Sequence, residues 1–198
     1  METNGDVGAA MERVLAGNPA AEDLKRVRRH NDMRAAGMPV LYVEKLLTAT
    51  PAPEGWQRPW VILVGVKGTG KTHRACEIML GEFIARKGRE RERFVDWPQF
   101  MLERKEAIGN PKAADPMREV LDTRHLLVLD DVGAERESEF ATDSLNLILG
   151  RRYNEVLKTV LTTNLTMQEI GARYGERISS RMSEAATLVP MLKAWRPA

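Results

Sequence analysis

Residues 61–72, Val61-Ile62-Leu63-Val64-Gly65-Val66-Lys67-Gly68-Thr69-Gly70-Lys71-Thr72, are the stretch whose chemistry reads most directly. An apolar run of strand type enters G-x-x-x-x-G-K-[ST], and a helical pattern follows, which is the context a phosphate-binding loop requires. Gly65, Gly68 and Gly70 let the backbone turn tightly and aim its N–H groups at phosphate oxygens. Val66, Lys67 and Thr69 fill out the loop. The Lys71 ammonium can reach β- and γ-phosphates, and the Thr72 hydroxyl can ligate Mg²⁺. A helix starting near Lys71 puts its positive dipole end under the anion. ATP with Mg²⁺ is the ligand pair expected.

A second group is His125-Leu126-Leu127-Val128-Leu129-Asp130-Asp131. A buried strand that ends in carboxylates delivers them to the carboxyl edge of a sheet, beside such a loop. Asp130 is the expected holder of the Mg²⁺ shell, and Asp131 the group that polarises an attacking water. Asp131 is one methylene shorter than the Glu usual at that position, which predicts slow turnover; Glu135 and Glu137 are second candidates for the base. The bland alternative is a pair of solvated carboxylates capping a loop. Asn164 ends a third polar-tipped strand, Leu161-Thr162-Thr163-Asn164, where it can meet a γ-phosphate or cap the next turn. Arg177 and Arg181 are four apart in Gly175-Glu176-Arg177-Ile178-Ser179-Ser180-Arg181-Met182 and share a helical face. By spacing alone they pair with Glu176 or Glu184, or reach a phosphate on a neighbouring subunit.

Strands and helices must alternate to position these groups. The pattern predicts strands over 60–64, 93–97, 125–129, 159–163 and 187–192. Helices are expected over 72–85, 100–108, 117–121, 140–156, from 167, and over 175–183. Ala75, Ile78, Met79 and Phe83 mark one buried helix face; Leu145, Ile148, Leu149 and Tyr153 mark another. Such alternation argues for an α/β fold with a mostly parallel sheet covered on both faces. Ahead of it, Asn18-Pro19 reads as a cap and first helical residue and Gly37 as a stop. The helix between them has few apolar residues (Leu24, Val27) and a basic cluster of Lys25, Arg26, Arg28, Arg29 and Arg34, either a solvated face or a contact surface. A short lead-in helix over 38–50 and a Pro51–Gly55 loop follow.

Composition narrows the classes. The chain has 198 residues, 43% hydrophobic and 29% charged, enough for one α/β domain with a small appendage. Thirty basic against 28 acidic residues give a net charge of +2, so any basic surface must be local. No apolar run approaches a membrane span, and the polar N-terminus is not of signal-peptide type. The lone Cys76 excludes a disulfide framework and a cysteine metal site, and is expected to be a small buried hydrophobe. A cytoplasmic compartment fits these features.

Taken together, the motifs resemble the AAA+ ATPases of the DnaC-type helicase loader and IstB group. Gly68-Thr69-Gly70-Lys71-Thr72-His73 is similar to that group's loop ending, and Leu127 to Gly133 followed by Arg136-Glu137-Ser138 to its Walker B segment. Arg152-Tyr153-Asn154-Glu155, Thr162-Thr163-Asn164-Leu165, Gly175-Glu176-Arg177 and Ser180-Arg181-Met182 follow at similar intervals, and Ala36-Gly37-Met38-Pro39 resembles the entrance to the core. The resemblance covers roughly residues 36–196. It implies a P-loop NTPase with a five-stranded parallel sheet ordered 5-1-4-3-2, and a division at 36/37 into a helical partner-binding segment (1–36) and an ATPase core (37–198). His73 joins the nucleotide site, Asn164 becomes a sensor, Arg181 an arginine finger and Arg177 its support. Residues 98–123 correspond to a helical insertion lining a single-stranded DNA path, which makes Arg104, Lys105, Lys112 and Arg118 candidate phosphate contacts. Only 17 residues follow Arg181, too few for a helical lid, and no Cys/His adaptor cluster precedes the core.

The expected function is ATP-dependent helicase loading in DNA replication. It requires self-association into an ATP-bridged oligomer, a hexameric replicative helicase as partner, single-stranded DNA, and no membrane. The rivals are an IstB-like transposition helper acting on duplex DNA, a nucleotide-gated binding module with negligible turnover and, more weakly, a small-molecule kinase.

Overall fold

The computed structural model describes residues 19–51, 54–86, 92–108, 110 and 113–192. In chain order the elements are α1 (Pro19–Ala35), α2 (Val40–Leu46), β1 (Trp60–Val64), α3 (Lys71–Ala85), β2 (Arg93–Asp96), α4 (Trp97–Ile108) and α5 (Met117–Asp122). They continue as β3 (Leu127–Val132), α6 (Glu139–Asn154), β4 (Thr159–Thr163), α7 (Met167–Tyr174), α8 (Glu176–Ala185) and β5 (Ala186–Pro190). The strands form one sheet in the order β2-β3-β4-β1-β5, every pair parallel. That is the expected 5-1-4-3-2 order read from the opposite edge.

Alternation along the strands explains the two layers. Trp60, Ile62, Leu127, Leu129 and Leu161 point to one face, where Trp97, Phe100, Leu145, Ile148, Ile170, Ile178 and Met182 from α4, α6, α7 and α8 cover them. Val61, Leu63, Val128 and Val160 point to the other, against Met33, Val43, Leu46, Ala75, Ile78 and Met79 from α1, α2 and α3. Cys76 is buried there, as expected of a small hydrophobe, and burial pushes its thiol pKa up. Among the described residues no helix is long and apolar enough to cross a membrane.

Several boundaries differ from the pattern. β3 starts at Leu127, not His125, because the His125 carbonyl accepts from the buried Arg152 guanidinium at 2.6 Å. It then runs through Asp130 and Asp131 to Val132, with a register irregularity between Leu129 and Val132. α4 begins at Trp97 directly off β2, since the Asp96 carboxylate accepts the Gln99 N–H at 3.1 Å and the Trp97 side chain is fully buried. α6 ends at Asn154 because Val156 adopts a left-handed φ of 52° and the Leu157 N–H returns to the Arg152 carbonyl. β5 covers 186–190, not 187–192.

α1 opens at Pro19, as the sequence implied; Asn18 lies outside the described residues. Its last turn is part of the core packing. Met33 is 2% exposed, and the Ala36 carbonyl accepts the Phe94 N–H of β2 at 2.7 Å. Arg29 leaves the basic cluster by donating to the Leu47 and Ala49 carbonyls, whereas Arg26, Arg28 and Arg34 remain exposed. Leu24 and Val27 are exposed too, at 71% and 58%.

Candidate functional site

Parallel register brings the carboxyl ends of β1, β4 and β3 side by side, with Val64 opposite Thr163 and Asp96 opposite Asp130. The phosphate loop leaves β1 at that edge. Gly65 must be glycine because a Cβ there would lie 2.4 Å from the Met191 carbonyl oxygen. Gly70 turns the chain at φ 85° and opens α3 with no side-chain cap, so the first-turn N–H groups of this 15-residue helix are presented to an anion. Thr69 is buried and its hydroxyl donates to the Val66 carbonyl at 2.9 Å, which bridges the loop; Val66, Lys67 and Gly68 are exposed on its outer side.

Lys71 is buried, and its ammonium donates to Gly65 O (2.8 Å), Val66 O (3.0 Å) and Asn164 Oδ1 (2.7 Å). Burial lowers its pKa, opposed by the charges of Asp131 and Asp130. Asn164 therefore meets the phosphate-loop lysine directly across 93 residues of sequence. The Thr72 hydroxyl donates to Asp130 Oδ2 at 3.0 Å, and Thr162 donates to Asp130 Oδ1 at 2.6 Å. Burial pushes the Asp130 carboxyl up to about 6, against the lowering effect of the Thr162 and Thr72 hydrogen bonds. A divalent cation fits a carboxylate held so unfavourably. One hydroxyl and one carboxylate are a donor set for Mg²⁺, which keeps waters and phosphate oxygens as its other ligands. Among the described residues no cluster of three or more His, Cys, Asp or Glu forms an all-protein metal cage.

Asp131 has a φ of 56°, a left-handed conformation that costs a non-glycine residue about 1 kcal/mol or more. Its N–H is held at 2.8 Å by the Thr162 hydroxyl. Thr162 thus fixes both aspartates, a role that a lone Thr in a strand does not advertise. Tyr42 of α2 was also invisible as a site residue. Burial raises its hydroxyl pKa, opposed by the neighbouring Thr72 hydroxyl, and its ring meets His73 edge-on at 6.1 Å. The His73 side chain packs between Tyr42 and Glu77, so what it offers a phosphate is its helix-start N–H.

Arg177 and Arg181 line a groove of about 550 Å³ with Asp143, Asn146, Gly150 and Asn154 on α6; no residue of the phosphate loop borders it. Arg181 lies over the Tyr153 ring at 5.5 Å. Glu135 is removed as a candidate base. Its carboxylate is 4% exposed and is consumed by Gly133, Arg173 and Tyr174, while Glu137 is exposed. Arg104 is likewise corrected. It is buried, paired with Asp115 at 3.1 Å, donates to Ser144 and stacks over Phe140, so its guanidinium is turned inward and engaged by internal partners, unlike a surface phosphate contact. Lys105 and Arg118 are exposed, Lys105 beside a cleft of about 220 Å³ that Arg136 also borders. Lys112 lies outside the described residues.

With this geometry in view, a model of the IstB-like ATP binding protein family matches residues 56–185. The replicative helicase loader DnaC of Escherichia coli strain K12 is 30% identical over 122 residues, which is 61% of this chain and 49% of the loader. The chain thus spans about half the length of the curated relatives it matches. A crystal structure of the DnaC helicase loader superposes with a TM-score of 0.58 at 26% identity, over 76% of this chain and 86% of that one. AMPPCP-bound DnaA from Aquifex aeolicus superposes at 0.54 with 22% identity, over 76% of this chain and 45% of that one, a likeness of fold.

Proposed function

The chain belongs to the family of IstB-like ATP-binding proteins, with an AAA+ fold, and from that premise we propose that it is an ATP-dependent loader of a hexameric replicative helicase. The observation that carries the loader reading is the similarity of this core to DnaC in both sequence and fold. Residues 1–36 would provide the helicase contact through the exposed side of α1, and Lys105 and Arg118 a salt-sensitive, sequence-independent contact to single-stranded DNA. The compartment is the cytoplasm of a bacterial host, whether the gene is the host's or a phage's.

The chemistry proposed is slow ATP hydrolysis. The loop N–H groups and Lys71 bind the phosphates, Thr72 and Asp130 hold the cation, Asp131 accepts a proton from water, and Asn164 orients the γ-phosphate side of the site. Mg²⁺ held by Thr72 and Asp130 would supply charge neutralisation for phosphoryl transfer. Arg181, supported by Arg177, completes the site of a neighbouring subunit, a reading supported by a groove that no residue of its own phosphate loop borders. Arg181→Ala should therefore abolish turnover while leaving ATP binding intact; turnover at the parental rate would remove the finger role.

The test of the partner is size-exclusion chromatography with light scattering, mixing the full chain with the helicase of its own host with and without ATP. A complex that is lost on Leu24→Asp with Val27→Asp supports the reading; these exposed positions avoid opening the core around Met33. No complex in either nucleotide state favours the transposition-helper alternative, for which duplex-stimulated assembly is the signature.

A further inference from the structure

The loop that follows β3 is anchored in an unexpected direction. Two residues beyond Asp131, the Gly133 N–H donates to Glu135 Oε2 at 2.9 Å. The other oxygen, Glu135 Oε1, accepts from the Tyr174 hydroxyl at 2.5 Å and from Arg173 at 3.1 Å, and Arg173 also donates to the Glu135 carbonyl. Tyr174 is the last residue of α7 and is itself buried. Gly175 alone separates α7 from α8, serving as C-cap of one and N-cap of the other. A Cβ on Gly171 would sit 3.2 Å from the Ser179 hydroxyl oxygen, so the two helices are in close contact as well as contiguous. α7 is held at its start too. Thr166 and Glu169 form a capping box two residues after Asn164, the partner of Lys71.

Glu135 consequently stands between two halves of the chemistry. On one side is the strained end of β3 that carries Asp131, on the other the contiguous α7–α8 corner that carries Arg177 and Arg181. We propose that Glu135 is a positioning residue that ties the turn directly after β3, and with it the strand end bearing Asp131, to the α7–α8 corner that bears the arginines, so that a subunit sets its own hydrolytic carboxylate and the arginine it offers its neighbour as one unit. This rests on the trans-acting role of Arg181 proposed above. The physical reason is stiffness. A buried carboxylate with donors from both sides cannot follow one element without pulling on the other, because either separation would strand a buried donor or the charge itself. Tyr174 reinforces the tie, since burial and the Glu135 contact raise its pKa and keep its proton in place as a donor.

The experiment is ATP hydrolysis by mixed subunits. Lys71→Ala holds ATP weakly and lacks the ammonium that its own site needs for turnover but can lend Arg181; Arg181→Ala holds ATP but lends nothing. Their mixture should recover turnover that neither has alone. Glu135→Gln is then introduced on one partner or the other. It keeps the volume but turns one oxygen into a donor facing donors and removes the charge opposite Arg173. The expected result is a loss of roughly threefold to thirtyfold in the mixture's turnover from either placement, with ATP affinity at the parental value. A loss confined to Glu135→Gln on the ATP-holding subunit, or no loss from either, overturns the proposal. Tyr174→Phe, which removes one hydroxyl and keeps the buried ring, should give a smaller loss from both placements and decides the matter if Glu135→Gln does not fold. A Lys71→Ala and Arg181→Ala mixture with no recovered turnover would refute the trans-acting arginine itself, before any change at Glu135 is made.

Discussion

Replacing Asp130 with Asn should stabilise the protein in the absence of divalent cations, and only above acid pH. The carboxyl of Asp130 is buried against Thr162 and Thr72, and burial pushes it up to about 6 from an ordinary 3.8. Because the folded value is the higher one, the unfolded chain releases this proton first as pH rises. No penalty exists below about 3.8; it grows between there and about 6, and is constant beyond. At about 1.4 kcal/mol for each pH unit between the two values, ionised Asp130 withdraws about 3 kcal/mol from folding at pH 8. Asn retains the shape and can still accept from Thr162, and the Thr72 hydroxyl can rotate to accept from its amide. Urea denaturation in EDTA at pH 8 should therefore show Asp130→Asn more stable by up to about 3 kcal/mol, with the advantage shrinking toward pH 4.5. Adding Mg²⁺ with ATP should stabilise the parent far more than the variant. An Asp130→Asn protein that is less stable than the parent at both pH values would refute the assignment of a desolvated carboxylate awaiting a cation.

Other outcomes follow from the same geometry. Lys71→Ala removes the ammonium bound by Gly65, Val66 and Asn164, and calorimetric titration should show ATP affinity weakened roughly tenfold to a hundredfold, the value of a charge-assisted contact; unchanged binding would contradict the loop's role. Arg152→Met leaves the carbonyls of Thr123, His125 and Lys158 without their guanidinium donor and should cost about 3 kcal/mol or more in chemical denaturation. Arg104→Ala should lower stability but leave the salt dependence of single-strand binding unchanged, whereas Lys105→Ala or Arg118→Ala should weaken binding and reduce the salt slope by about one; an Arg104→Ala effect on that slope would make Arg104 a phosphate contact after all.

The phosphate loop was legible because it is contiguous. Glycines at fixed offsets, a strand before and a helix after determine the local backbone whatever the rest of the chain does, and Gly65, Lys71 and Thr72 stand where those constraints require. The alternation of apolar strands and amphipathic helices likewise determined a parallel sheet with two covered faces, since each strand has apolar side chains on both sides to bury. What the tertiary structure decided is the fate of the charges. Arg104 and Lys105 are neighbours of the same sign, yet one is locked onto Asp115 and onto Ser144 of α6 and the other is exposed. Glu135 and Glu137 are two residues apart, yet one braces α7 and the other is solvated. Arg29 belongs by sequence to a basic cluster, and nothing in the sequence marks Arg152 as buried, yet both close carbonyl groups, left open after the end of α2 and before the start of β3. A charged residue's type records only that it needs partners; whether it finds water or a partner on another element of the chain depends on which elements the fold brings against it, and that is not written locally.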